Sequence, residues 1–412
     1  MRVELYPHQL AALEKLGSGS ILKGGVGTGK SITALAYYFR KECKGNLEYN
    51  HMEEPKDLYI ITTARKRDSL EWDKECVNFL LSQNPDISLQ GVKVVIDSWN
   101  NISKYEEVTD AFFIFDEQRI VGNGAWVKSF YKITKRNKNH WLLLSATPGD
   151  TWMDYIPVFV ANGFYKNRTE FIRRHAVYSP NSKYPKIDRF IDTRRLEYFR
   201  DKITVEMFFE KKTIPHSCDI FLDFDKELMD TVIKKRWNFY EERPIETSAE
   251  YYYLMRKVAN SNPSRLEAVK QIVDRHKKVI VFYNFDYELE ALRTLNEYND
   301  ISVAEWNGHR HQEVPTSDKW IYLVQYSSGS EAWNCITSNT IIFYSLNYSY
   351  RIMTQSAGRI DRLNTPFIDL YYYYFRSRSY IDLAISRALK NKRNFNEKRI
   401  IDLDTKFVSK IA

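Results

Sequence analysis

"SILKGGVGTGKSITALAYYFRK", residues 20–41, runs from a short apolar stretch through a glycine-rich turn into a helix-like stretch. The turn, Gly24-Gly25-Val26-Gly27-Thr28-Gly29-Lys30-Ser31, fits G-x-x-x-x-G-K-[ST] in full. Its residue types have a chemical reason. Glycines let backbone N–H groups curl around phosphate oxygens, and the N-terminus of the following helix adds its positive end. The Lys30 ammonium reaches β and γ phosphates, and the Ser31 hydroxyl is a ligand for Mg²⁺. A phosphate loop set between a strand and a helix points to an α/β fold.

The same texture recurs along the chain. Apolar runs "SILK", "LYIITT", "VKVVID", "AFFIFD" and "HWLLLS" alternate with helix-like or loop segments in the first half. "KVIVFY", "WIYLVQ", "NTIIFYS" and "DLYYYYF" do so in the second. Continuous apolar runs read as strands buried on both faces, and alternation with helices predicts parallel sheets. Two such sets predict two α/β domains, as expected for 412 residues. The sequence between them is rich in Arg, Lys, Tyr and Phe at helical spacing. With Pro215 barring helix continuation, the expected division is 1–160, a mainly helical 161–215, and 216–412. The tyrosines Tyr371 to Tyr374 read as a buried strand.

Composition narrows the classes. An apolar fraction of 43% beside 28% charged residues describes a protein with cores to bury and a wet surface. No apolar run reaches the roughly 20 residues of a bilayer span, and "MRVELYPHQL" has no secretory h-region, so no membrane and a cytoplasmic setting are expected. Cys43, Cys76, Cys218 and Cys335 are far apart, which indicates neither a zinc site nor a disulfide framework. A net charge of +8 suits a polyanion partner and equally a mildly basic soluble protein.

A second half of a nucleotide site follows the loop. "AFFIFDEQR" delivers Asp116 and Glu117 at the end of a strand, where open α/β sheets place their ligands. Asp116 is expected to hold Mg²⁺ through water and Glu117 to deprotonate the attacking water. "WLLLSATPGD" ends another strand with Ser145, Ala146 and Thr147, small residues able to hydrogen-bond that pair. Upstream, Gln9 in "LYPHQLAAL" offers an amide to an adenine edge, or is a solvated helix-start glutamine. In "QSAGRIDRLN", residues 355–364, a helix would put Arg359 and Arg362 on one face. That pair reads as a solvated face, a nucleic-acid contact, or a reach toward something bound far away in sequence.

Gln9, Gly24 to Ser31, "DEQR" and "SAT", in this order, resemble the first RecA-like domain of a superfamily 2 helicase, with motifs Q, I, II and III. "TTARKRDSLEWDKE" (62–75) resembles motif Ia, which in that family touches the nucleic-acid backbone. "KVIVFYNF", "QYSSGSEAWN" (325–334) and "QSAGRIDR" (355–362) are similar to motifs IV, V and VI. "FIRRHAVYS" and the basic stretch after it resemble the Swi/Snf-type region between two motor domains, and the compact length resembles helicases encoded by bacteriophages. Asp-Glu-Gln-Arg in place of Asp-Glu-Ala-Asp departs from RNA-specific DEAD-box enzymes, and Ala332 stands where motif V usually has a second glycine.

The resemblance implies tandem RecA-like domains and a DNA-stimulated ATPase using ATP and Mg²⁺. Its activity would be that of a DNA helicase or translocase, in phage replication or recombination, within the host cytoplasm. Alternatives are a translocase that tracks duplex without unwinding and a nucleotide-gated loader. The implied partners are single-stranded, duplex or forked DNA and phage or host replication proteins. Arg359 and Arg362 become arginine fingers, Gln355 a nucleotide sensor, and Gly329 and Asn334 nucleotide contacts. Thr63, Arg65, Lys66 and Arg67 become candidates for the DNA backbone. Trp99, Trp126 and Trp333 either stack bases or pack in the core.

Overall fold

Strands made wholly of Val, Ile, Leu and Phe leave no position for water, so they require cover on both faces. The computed structural model describes residues 4–25, 27–117, 120, 122–180, 185, 187–208, 212–298, 301–329, 335–362 and 365–392. They fall into two compact units, 1–210 and 211–412. Among the described residues no helix is long and apolar enough to cross a membrane.

The first unit holds strands β1 (Ser20–Lys23), β2 (Asp57–Thr62), β3 (Val94–Ser98), β4 (Ala111–Asp116), β5 (His140–Ser145) and β6 (Thr204–Glu206). Their order is β6-β1-β5-β4-β2-β3, and every neighbouring pair is parallel. All six residues of β4 are buried. Helices α1 (Pro7–Lys15), α2 (Lys30–Tyr37) and α4 (Glu71–Val77) cover one face, meeting Phe112, Ile114, Leu142 and Leu144 in a single core, while the short α3 (Ala64–Asp68) buries no residue. Register fixes the functional edge of the sheet. Lys23 lies opposite Ser145, and Leu144 opposite Asp116, so the phosphate loop and Asp116 emerge at the same sheet end.

Residues after Ser145 add helices Trp152–Ala161, Arg168–His175 and Thr193–Ile203 and a small antiparallel pair, Ala176–Tyr178 with Ile187–Phe190. The chain then returns to the sheet through β6, beside β1, where Glu206 pairs with Lys23 at 2.7 Å.

The second unit repeats the scheme with β7 (Ile214–Leu222), β8 (Lys278–Tyr283), β9 (Ser302–Trp306), β10 (Trp320–Gln325), β11 (Thr340–Phe343) and β12 (Asp369–Ser377). The order is β7-β12-β11-β8-β10-β9, again all parallel. Pro215 sits in the edge strand β7, where a missing N–H can face away from the ladder. Tyr371 to Tyr374 lie within β12, with Tyr372 and Tyr373 buried. Two parallel six-stranded sheets in tandem are the architecture expected of RecA-like domains.

Candidate active site

Gly24 follows β1 directly, and its N–H donates to the Ser145 carbonyl at 3.2 Å, tying the phosphate loop to β5. Gly27 and Gly29 have φ of 84° and 79°, the left-handed region where a side chain would strain the backbone. Gly29 faces a second constraint: a Cβ there would stand 2.1 Å from the Gln9 amide nitrogen. α2 starts at Lys30, immediately after this turn. The Lys30 ammonium donates to the Gly24 and Gly25 carbonyls at 2.8 and 2.9 Å, and the Thr28 hydroxyl to Gly25 at 3.0 Å. Gln9 is buried, not a solvated helix start. Its side-chain oxygen accepts from Tyr6 N–H at 2.8 Å, while its amide donates to the Thr28 carbonyl at 3.4 Å.

Asp116 ends β4 and is only 2% exposed, so its carboxylate needs donors inside the protein. It has three on one oxygen. Oδ2 accepts from Thr62 Oγ1 at 2.9 Å, Lys66 Nζ at 3.0 Å and Trp72 Nε1 at 3.0 Å. The Asp116 carbonyl also accepts from Trp99 Nε1 at 2.9 Å. Glu117 adopts φ 54°, a strained conformation for a non-glycine residue and one that clusters at functional sites. Its Oε1 lies 3.4 Å from the same Lys66 ammonium.

The segment expected to touch DNA therefore reaches into this site. Thr63 caps α3 by accepting from the Lys66 N–H at 3.3 Å, and the short helix turns the Lys66 side chain toward both carboxylates. Burial disfavours the charged ammonium, but Asp116 and Glu117 outweigh it and raise the Lys66 pKa above its ordinary range. Arg67 pairs with Asp68 at 2.8 Å and Asp97 at 3.1 Å, and Arg65 is half-buried. Burial pushes the Asp97 carboxyl up, but donors from Asn101, Tyr105, the Ser98 N–H and Arg67 bring it down to about 2.

Ser145 is buried and accepts from the Thr147 N–H at 3.1 Å; Thr147 is buried too, and Ala146 between them is partly exposed. Trp99 is 2% exposed and stacks on Phe115 with ring centres 5.5 Å apart, while Trp126 is half-buried beside it. Trp99 belongs to the packed core.

Ser31 lines a cavity of about 350 Å³ together with Lys66, Glu71, Trp72, Lys74, Glu75 and Asn78. Its hydroxyl and the Asp116 carboxylate are hard oxygen donors of the kind Mg²⁺ takes. Among the described residues no group of three or more His, Cys, Asp or Glu gathers as a metal cage. A few protein oxygens completed by phosphates is the usual arrangement for Mg²⁺, so these residues fit that ion.

In the second unit, helix α5 (Tyr350–Ala357) carries Gln355, which is buried. The helix expected to align Arg359 and Arg362 stops before either. Gly358 is its C-cap, donating to the Thr354 carbonyl at 3.0 Å, and the Arg359 N–H closes a tighter turn onto Ser356 at 3.2 Å. The arginines thus sit on the turn beyond the helix, Arg359 buried and Arg362 half-buried. The Arg359 carbonyl accepts from the Cys335 N–H at 3.1 Å, and Asp361 from the Thr213 hydroxyl at 2.8 Å. Gly329 ends a short helix, Tyr326–Gly329. Val26, Gln118, Arg119, Ala332, Trp333 and Asn334 lie outside the described residues.

Fold and site together define a tandem α/β protein with a phosphate loop and an adjoining pair of carboxylates. No family model matches the chain. No curated protein matches it either. Among solved structures, the SWI2/SNF2 ATPase core of Sulfolobus solfataricus in complex with dsDNA aligns over 97% of this chain and 93% of that one, at 13% identity and a TM-score of 0.42. The fold assignment rests on the strand order and register given above rather than on that alignment.

Proposed function

We propose that this chain is a DNA-stimulated, Mg²⁺-dependent ATPase of the Swi/Snf-like branch of helicase superfamily 2, which moves along or unwinds DNA. One observation carries the reading. A complete phosphate loop and the buried, three-donor Asp116 with Glu117 emerge at one end of the same parallel sheet. In this reading Gln9 recognises the base, residues 24–31 wrap the phosphates, and Glu117 takes the proton of the attacking water. Ser31 and Asp116 hold Mg²⁺, which when bound neutralises phosphate charge. Ser145 to Thr147 relay the state of the loop, since Ser145 already contacts Gly24.

Arg359 and Arg362 supply guanidinium forks to the γ-phosphate, a contribution worth roughly 10³ to 10⁵ in rate for arginine fingers. Gln355, Gly329 and Asn334 complete the nucleotide contacts. The functional division is 1–160, 161–215 and 216–412. Loss of the γ-phosphate removes these differential contacts, and alternate gripping of the DNA backbone by the two halves gives stepping without sequence readout. The +8 net charge suits that polyanion.

Steady-state ATP hydrolysis with no polymer, single-stranded DNA, duplex, forked DNA and RNA in parallel tests the reading. DNA should raise turnover well above RNA. Equal rates in all five would refute it, and stimulation by duplex without fork unwinding would select the duplex-tracking form.

A further inference from the structure

Lys66 has no part in the hydrolysis described so far, yet its ammonium occupies the centre of the site. It bridges Asp116 Oδ2 at 3.0 Å and Glu117 Oε1 at 3.4 Å, so one cation is shared by both carboxylates. Thr62 and Trp72 hold the same Asp116 oxygen through neutral donors. The charge of Lys66 is therefore separable from the orientation of Asp116. Lys66 also lines the cavity that contains Ser31 and Glu71. Glu71 acts on the ammonium electrostatically, in the same direction as Asp116 and Glu117.

We infer that Lys66 is an internal counter-ion that holds the place of the divalent cation and restrains Glu117, moving toward Glu71 when Mg²⁺ and nucleotide bind. The inference rests on the ATPase reading of this site. Three physical points support it. Two adjacent carboxylates with no compensating charge disfavour each other's ionised form, so a cation between them favours the ionised pair. A divalent ion placed at Asp116 repels an ammonium 3.0 Å from the same carboxylate, so the two compete for it. A displaced, half-buried ammonium is stabilised by a new anionic partner, and Glu71 on the wall of the same cavity is one. Glu117, assigned to the water proton, loses its contact with the ammonium by the same movement.

The test is binding of a fluorescent ADP analogue to the full chain while Mg²⁺ is titrated, with no turnover involved. Lys66→Met should lower the half-maximal Mg²⁺ concentration about tenfold by removing the competing charge. Glu71→Gln should raise it several-fold by removing the destination. Basal hydrolysis should rise in Lys66→Met, because Glu117 no longer shares its carboxylate with the ammonium. If thermal denaturation shows Lys66→Met to be poorly folded, Lys66→Gln, which removes the charge and keeps a donor, takes its place with the same expectation. If wild type binds and hydrolyses nucleotide but the Mg²⁺ requirement is unchanged or higher without Lys66, the counter-ion inference alone is lost. If wild type binds no Mg²⁺-nucleotide, the ATPase reading fails and the inference falls with it.

Discussion

Trp72→Phe removes one hydrogen bond from the site while leaving an aromatic ring in place. Trp72 is 2% exposed and donates from Nε1 to Asp116 Oδ2 at 3.0 Å. A hydrogen bond to a charged group contributes about 1.5–3 kcal/mol. Thr62 and Lys66 still serve the same oxygen, so the carboxylate is not orphaned and the lower figure applies. For a unit of this size, about 1.5 kcal/mol corresponds to a fall of about 3–6 °C in the unfolding midpoint. Looser orientation of Asp116 should also slow hydrolysis about tenfold, the equivalent of about 1.4 kcal/mol of barrier. Calorimetric unfolding and steady-state phosphate release on the same preparation measure both. A midpoint within about 1 °C of wild type, together with an unchanged rate, would show that Trp72 does not hold Asp116.

Glu117→Gln should bind ATP as wild type does and turn it over very slowly, since only water activation is lost; equilibrium binding and single-turnover hydrolysis separate the two. Arg359→Ala and Arg362→Ala should each reduce kcat by roughly 10³ or more while sparing nucleotide affinity and nucleotide-free DNA affinity. Lys at either position should not restore the rate, because a point charge cannot reproduce the guanidinium fork; weaker DNA binding with normal basal turnover would assign these arginines to the DNA instead. Asp97, held down at about 2 against an ordinary 3.8, contributes stability that is present above about pH 4 and lost as pH falls toward 2. That contribution is about 2 kcal/mol, and denaturant unfolding of Asp97→Asn should show a flatter pH dependence over this window.

Every strand read as a continuous apolar run in the sequence is a strand in the structure, because burial on both faces leaves that signature. The strands of the two six-stranded sheets that escaped, β6, β7 and β9, are all sheet edges. An edge strand meets water on one side, and the first six residues of β7 are exposed, so no apolar run marks it. At the candidate site, Gly24 to Ser31 and Asp116 stood out in the sequence because a glycine-rich turn before a helix and a carboxylate ending an apolar strand are distinctive patterns. Thr62, Trp72 and Trp99 were not. A tryptophan in sequence signals apolar burial, and nothing local says where its N–H will point; here two indoles converge on Asp116 from separate segments. Lys66 read as a candidate contact for the DNA backbone because only the short α3, capped by Thr63, turns it inward. The expected helix through Arg359 failed at Gly358, where the turn onto Ser356 replaced the next helical bond.

The most direct measurement is phosphate release from Mg²⁺-ATP by wild type and Lys30→Ala, each with and without saturating duplex DNA. Wild type should hydrolyse ATP, and faster with DNA, whereas Lys30→Ala should be inert in both conditions, having lost the cation assigned to the β and γ phosphates. Hydrolysis that survives in Lys30→Ala, or a wild-type rate indifferent to DNA, would contradict the account.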